Sequence, residues 1–212
     1  MSTFLMKEKA LLLLSGGIDS PVAGIIAKEK YSLEAIHFSQ VPFTDNSPEK
    51  KSLASAKKLR LNELIIIEAG EELKKIADTT FREYYFVLMK RFFVKVSEGL
   101  AHKNKIKFLI TGESLGQVSS QTLSNLNTIN LATKGEILRP LLFLDKQDII
   151  DMSKDKGFYD ISTGPEMCDA LATGKPKTLT KIENVLEEER KCNMKELVEG
   201  ALKKVRIEKV NE

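Results

Sequence analysis

An apolar run, Ala10-Leu11-Leu12-Leu13-Leu14, stops abruptly at Ser15-Gly16-Gly17 and gives way to a helical pattern that opens on Asp19-Ser20-Pro21. This junction constrains the fold more than any other stretch. Five consecutive apolar residues with no polar alternation fit a strand covered on both faces, the condition of a parallel sheet between helices. Ser20 suits an N-cap and Pro21 the first helical position, so a helix is expected over 21–30. The rest of the chain repeats the alternation. Strands are expected at 35–38, 64–67 and 106–111. Helices are expected at 49–61, 79–103 (with a break near Gly99), 114–126 and 146–156, the last stopping at Gly157. Short apolar pieces lie at 128–131 and 137–142, and 40–47 reads as a loop. Strands separated by helices predict an α/β fold, a parallel twisted sheet with helices on both faces.

After Ser162 the pattern changes. Residues 163–177 hold Gly164, Pro165, Gly174 and Pro176 and read as a loop or arm. Residues 178–212 mix acidic and basic residues and read as a C-terminal helical extension packed on the domain formed by 1–177. At 212 residues the chain is long enough to bury a core without metal or disulfide staples. Its two cysteines, Cys168 and Cys192, are too few for a disulfide framework or a four-thiolate zinc site, and a reducing cytoplasmic setting is expected. No apolar run approaches the ~20 residues of a membrane span. The net charge of +3 permits nucleic-acid binding without requiring it.

The Ser15-Gly16-Gly17-Ile18-Asp19-Ser20 string has a chemical reading. Unpaired N–H groups at a helix start favour an anion, and glycines let phosphate oxygens approach the backbone. Ser15 and Ser20 add hydroxyl donors. Asp19 would repel a bare phosphate, so it makes sense beside a cation such as Mg²⁺. A tight strand-to-helix turn without a ligand is the plainer alternative. The string is not the P-loop of kinases and GTPases, because no Gly-Lys-Ser/Thr follows. Nor is it a dinucleotide fingerprint, because the third glycine is missing.

The string resembles the pyrophosphatase loop of the PP-loop ATPases, which are related to the adenine nucleotide alpha hydrolases. These enzymes split ATP between its α and β phosphates. Three further blocks narrow the resemblance to the ThiI-type tRNA 4-thiouridine synthases. They are Ala35-Ile36-His37-Phe38 with Pro42-Phe43-Thr44; Thr111-Gly112-Glu113-Ser114-Leu115-Gly116-Gln117-Val118-Ser119-Ser120-Gln121-Thr122-Leu123; and Leu138-Arg139-Pro140-Leu141-Leu142 with Asp145-Lys146, followed by Pro165-Glu166-Met167-Cys168. The similarity covers roughly residues 8–190.

The resemblance implies ATP and Mg²⁺ as cofactors. It places Leu13, Leu14, Ser15, Gly16, Gly17, Asp19, Ser20, His37, Phe38, Lys90, Gly112 and Gln121 at an adenine nucleotide. Asp19, Lys146 and Cys168 become the catalytic set, with Asp19 near Mg²⁺ through the phosphates. The implied reaction adenylates O4 of a tRNA uridine and replaces it with sulfur from a persulfide on Cys168, fed by a persulfide or sulfide donor. A link to the thiazole sulfur of thiamine also belongs to the family.

Each residue also has a plainer reading. His37 alone would pass for a strand-end histidine with a satisfied hydrogen bond, and one of Lys90 and Arg91 for a solvated charge. Cys168 alone would pass for a buried structural thiol, with Lys175 or Lys177 as the cations able to offset Glu166 and Asp169 beside it. Cys192 is a candidate resolving thiol. The chain departs from the family pattern in showing no THUMP or rhodanese sequence and no Cys-x-x-Cys pair. The expected RNA contact therefore falls to a separate RNA-binding chain, to a homodimer groove, or is not made at all. Another PP-loop adenylating enzyme and a non-catalytic ATP-binding module are the competing readings.

Overall fold

The computed structural model describes residues 7–117, 120–164, 171 and 175–210. In chain order the elements are β1 (Lys9–Leu13), α1 (Asp19–Lys28), β2 (Ser32–Ser39), α2 (Ser47–Lys58), β3 (Glu63–Glu68), α3 (Gly70–Thr79), a 3₁₀ turn at Arg82–Tyr84, α4 (Tyr85–Lys103), β4 (Phe108–Ile110), α5 (Leu123–Asn130), β5 (Glu136–Leu138), α6 (Lys146–Asp155), α7 (Tyr159–Ser162), α8 (Ile182–Lys191), α9 (Met194–Ala201) and β6 (Val205–Lys209). The sheet order is β5-β4-β1-β2-β3-β6. The first five strands run parallel, and β6 pairs antiparallel with β3.

The strand alternation divides the core in two. Leu11, Ile36, Ile65 and Ile67 face α3, α4, α8 and α9, whereas Leu12, Ala35, Leu64 and Ile66 face α1, α2 and α6. Leu11 and Leu12 are adjacent, point to opposite faces and are both fully buried, so an uninterrupted apolar run suits this strand. The order also reverses at β1. The chain builds β2 and β3 on one side, then crosses to place β4 on the other. In open α/β sheets such a reversal opens a crevice at the carboxyl ends of the strands.

Three elements differ from the sequence expectation. The helix expected over 79–103 begins only at Tyr85, after the 3₁₀ turn, and α3 before it was not expected from the sequence. Thr79 and Thr80 donate their hydroxyls to the carbonyls of Lys75 and Ile76, and Thr80 is extended (φ −116°, ψ 164°), which ends α3. Gly99 causes no break, because α4 runs through it to Lys103. The helix expected over 114–126 starts only at Leu123, capped by Thr122, whose hydroxyl accepts from Asn125 N–H at 3.2 Å. Before it, Gly116 at φ +76° and a run of side chains that compete for backbone hydrogen bonds keep the chain irregular. The C-terminal extension contains the expected helices but ends in a strand. Between α8 and α9 the chain turns at Asn193, whose left-handed backbone (φ 53°) suits an asparagine. Val205–Lys209 then covers the open edge of β3.

Candidate phosphate-loop site

The residues between β1 and α1 form a closed turn. Ser20 is not the N-cap; it lies inside α1, and its hydroxyl accepts from the backbone N–H of Ser15 at 2.8 Å. The hydroxyls of Ser15 and Ser20 are 3.0 Å apart, and Gly17 N–H points to Ser15 Oγ at 3.3 Å. Both serines therefore hold the loop closed across its base. Two glycines make the shape attainable. A Cβ on Gly16 would stand 2.9 Å from Pro48 Cα, against the start of α2. A Cβ on Gly112, just past β4, would stand 2.7 Å from Ser20 N. Gly112 thus lets the β4 end press on the first turn of α1 at the strand-order reversal.

Asp19 begins α1, and Lys146 begins α6, 127 residues later. The Lys146 ammonium donates to Asp19 Oδ1 at 2.7 Å, with the two side chains 46% and 27% exposed. Asp145 caps α6 by accepting from Gln147 N–H at 3.1 Å, which fixes where the Lys146 stem begins. Leu13 and Leu14 end the first strand, as expected. Leu14 N–H donates to the Ile36 carbonyl at 2.8 Å.

His37 and Phe38 lie near the carboxyl end of β2 and are buried. His37 Nδ1 is 3.0 Å from the Leu14 carbonyl and 2.9 Å from the Ser52 hydroxyl, while Nε2 is buried without a hydrogen-bond partner. Burial holds the imidazole pKa below its usual value, against the pull of the Leu14 carbonyl and Glu49, so the ring is neutral at pH 7. Phe38 stacks on Phe93 of α4, with ring centroids 4.1 Å apart and planes at 20°. Its ring belongs to the core.

Lys90 and Arg91 diverge on α4. Arg91 turns inward, 1% exposed, where Nε donates to Glu189 at 2.8 Å and a second nitrogen to the Thr128 carbonyl. It is a packed structural charge and not a solvated one. Lys90 faces Glu113, with Nζ 3.7 Å from Oε1. Glu113 is buried, accepts from Arg139 Nε at 2.8 Å and from the Thr111 hydroxyl at 3.0 Å. Burial pushes its carboxyl up, but Lys90, Arg139 and Thr111 together outweigh that and hold it below the usual carboxylate range. Arg139 also donates to Asn130 Oδ1 at 2.7 Å, and its Nη2 is buried without a partner. Gln121 shapes the neighbouring loop, accepting from Ser114 N–H at 2.9 Å. Sequence reasoning quoted Glu113 and Arg139 but gave them no role. The signal was present: an acid two residues past a buried strand, and an arginine before a proline at the next strand end.

Cys168 lies outside the described residues. Cys192 is fully buried at the end of α8, and burial, aided by Glu189, pushes its thiol up to about 11. Both features weigh against a resolving role, since a nucleophilic cysteine must be accessible and ionised. Lys177 is committed to Glu83 at 2.6 Å and to the face of Tyr84, so it is not a free cation for Cys168. Among the described residues, no cluster of three or more His, Cys, Asp or Glu side chains is placed to hold a metal by itself. No helix among them is long and apolar enough to cross a membrane.

A mostly parallel sheet with a glycine loop at its order reversal, a carboxylate and a lysine at the helix starts, and a second lysine opposite defines the class: an α/β phosphate-loop protein. Residues 5–194 match the family model described as Thiamine biosynthesis protein (ThiI), and the chain belongs to that family. It is 39% identical over 210 residues to the probable tRNA sulfurtransferase of Alkaliphilus oremlandii, covering 96% of this chain and 54% of the relative. It is 38% identical to that of Halothermothrix orenii, covering 94% and 52%. Its fold matches the crystal structure of a 4-thiouridine synthetase–RNA complex with bound ATP, at a TM-score of 0.90 and 32% identity over 95% of this chain and 55% of that one. The chain spans about half the length of the curated relatives it matches.

Proposed function

We propose that this chain is the ATP-using sulfurtransferase unit of a tRNA 4-thiouridine synthase. The observation that carries the reading is the meeting of Asp19 and Lys146 at the mouth of the glycine loop, from helices that begin 127 residues apart. Nothing in packing demands a half-exposed ion pair there, and exposed pairs add little stability. The similarity to a structure whose complex includes ATP and RNA supports the choice of substrates.

ATP binds with its phosphates on the N–H groups of Gly16 and of the first turn of α1, and its adenosine along the ends of β2 and β4 near His37, Phe38, Gly112 and Gln121. Lys90, steadied by Glu113, and Lys146 supply positive charge. Uridine O4 attacks the α phosphate and pyrophosphate leaves. Lys146 stabilises the charge that develops on the phosphates. Mg²⁺ fits the donor set only as a phosphate-held ion. Asp19 offers one carboxylate, so the remaining ligands would come from phosphates and water. When bound, it would neutralise phosphate charge.

The terminal sulfur of a Cys168 persulfide then attacks C4. AMP departs with the former O4, and an external thiol cleaves the remaining S–S bond, taking Cys168 into a mixed disulfide that a second thiol reduces. Cys192 is not that thiol.

The test uses purified chain, Mg–ATP, bulk tRNA, a small-molecule persulfide whose outer sulfur Cys168 can take over, and a reducing thiol. AMP, pyrophosphate and the near-ultraviolet absorbance of thiouridine are expected together. Cys168→Ser should keep ATP binding and lose thiouridine. Full transfer by that variant would refute the assignment of Cys168, and absence of ATP binding by the wild-type chain would refute the reading as a whole.

A further inference from the structure

Three lysines stand around the glycine loop, and they differ in one respect. Lys146 faces Asp19 and Lys90 faces Glu113. Lys51 faces no carboxylate within 4 Å among the described residues. Among the described residues its ammonium donates one hydrogen bond, to the Ser162 carbonyl at 3.4 Å, the long limit of such a bond. It is nonetheless partly buried and held in place. A Cβ on Gly16 would stand 3.3 Å from Lys51 Cβ, so the lysine stem starts against the backbone of the loop. On its other side a Cβ on Gly164, which sits at φ +119°, would stand 3.2 Å from the ammonium, so a side chain there would crowd the ammonium.

The helix that carries Lys51 is fixed. Ser52, the next residue, donates to the Pro48 carbonyl at 2.8 Å and lies 2.9 Å from His37 Nδ1, which pins α2 to the ends of β1 and β2. Burying part of a cation beside helix N-termini that already repel it costs free energy unless an anion is expected there. The two other lysines must each be shared with a carboxylate, while a nucleotide triphosphate brings about four negative charges. Lys51 is the one of the three without an ion pair among the described residues, its charge acting on Asp45 only at longer range.

We propose that Lys51 contacts the pyrophosphate end of the bound nucleotide, exchanging the Ser162 carbonyl for a β- or γ-phosphate oxygen when ATP enters. This rests on the reading of residues 15–20 as a phosphate loop and adds a residue outside that loop and outside the blocks that carried the family resemblance. A lysine stem with four rotatable bonds can make the exchange without moving α2. The contact serves the triphosphate and the released pyrophosphate, and AMP lacks the group it recognises.

The experiment is calorimetric titration of the intact chain with Mg–ATP, Mg–pyrophosphate and AMP, for the wild type, Lys51→Met, Lys51→Arg and Lys50→Met. Lys50 is the exposed neighbour on the same helix and serves as the control. Losing one charge-assisted phosphate contact should weaken ATP and pyrophosphate about tenfold to a hundredfold in Lys51→Met. AMP affinity should stay unchanged, Lys51→Arg should recover most of the loss, and Lys50→Met should match the wild type. Equal weakening of all three ligands would make Lys51 a structural tie to Ser162 and overturn the proposal, as would unchanged ATP and pyrophosphate binding. If the wild type binds AMP and ATP equally and pyrophosphate not at all, the phosphate-loop reading itself fails.

Discussion

Two lysine–carboxylate pairs flank the ends of the central strands, and they are built differently. The Lys146–Asp19 pair is half exposed, holds a single short contact and joins two helix starts. The Glu113 cluster is buried, with Arg139, Thr111 and Lys90 converging on one carboxylate from three elements or their ends. Water competes for both partners of the first pair, whereas in the second it reaches Lys90 but scarcely the carboxylate. An exposed pair is cheap to open, so a ligand can take either partner. A buried carboxylate with two hydrogen-bond donors and an ammonium beside it is expensive to disturb, so it fixes the frame in which the other lysine stands. Adaptable charge and fixed charge thus both stand near the carboxyl ends of the central strands.

The contrast can be broken at several points. Glu113→Ala leaves Arg139 buried without its anion and should cost about 3–5 kcal/mol of unfolding free energy, a large share of a typical margin of about 5–15 kcal/mol. Denaturant titration reads this directly; a loss below about 1 kcal/mol would put the cluster in the same class as the exposed pair. Lys146→Met should do the reverse. AMP formation should fall about 10²- to 10³-fold, the range for removing one donor to developing charge. Its unfolding midpoint should shift little, because exposed pairs contribute about 0–1 kcal/mol.

The third prediction concerns pH. The His37 pKa is lowered in the fold, so the unfolded chain binds more protons as the pH drops below the usual value of 6.5. Stability from this group is present above that value and is lost on acidification, by at most ~1.4 kcal/mol per pH unit. A His37→Gln variant should show a flatter stability profile between pH 6.5 and the acid limb, as measured by thermal melts. Least effect is expected at Cys192. With its thiol held near 11 and no exposed surface, it should resist alkylation at pH 8 in the folded chain and react once guanidinium unfolds it. Cys192→Ala should leave AMP formation unaltered. Rapid alkylation of the folded protein would show that the α8 end opens readily.

The parts legible in the sequence were those where one local pattern has one physical solution. Ala10–Leu14 had to be a doubly covered strand, and two glycines before Asp19-Ser20-Pro21 had to be a tight strand-to-helix turn. The role of Ser20 was misjudged because capping and loop closure use the same hydroxyl, and only the position of Ser15 decides between them. The β6 strand was hidden because Val205-Arg206-Ile207-Glu208-Lys209 alternates within a charged tract whose neighbours are helical. An edge strand with one wet face carries few apolar residues to announce it. Glu113 was visible as a residue but not as a hub. Its partners lie 23 residues upstream and 26 downstream, and no spacing rule links them.

The strand order has a consequence for synthesis. Arg206 on β6 reaches Glu49 at the start of α2 with a contact of 2.6 Å. The helix that backs the glycine loop is therefore clamped by a residue translated more than 150 positions later. A nascent chain can form β1, β2 and β3 early, but until β6 arrives the outer edge of β3 offers unpaired backbone to any passing strand. The late strand acts as a latch: it closes the aggregation-prone edge and fastens the nucleotide-side helix in one event. Edge closure and the fastening of α2 are then coupled, so a chain interrupted before residue 205 would be sticky as well as loosely assembled.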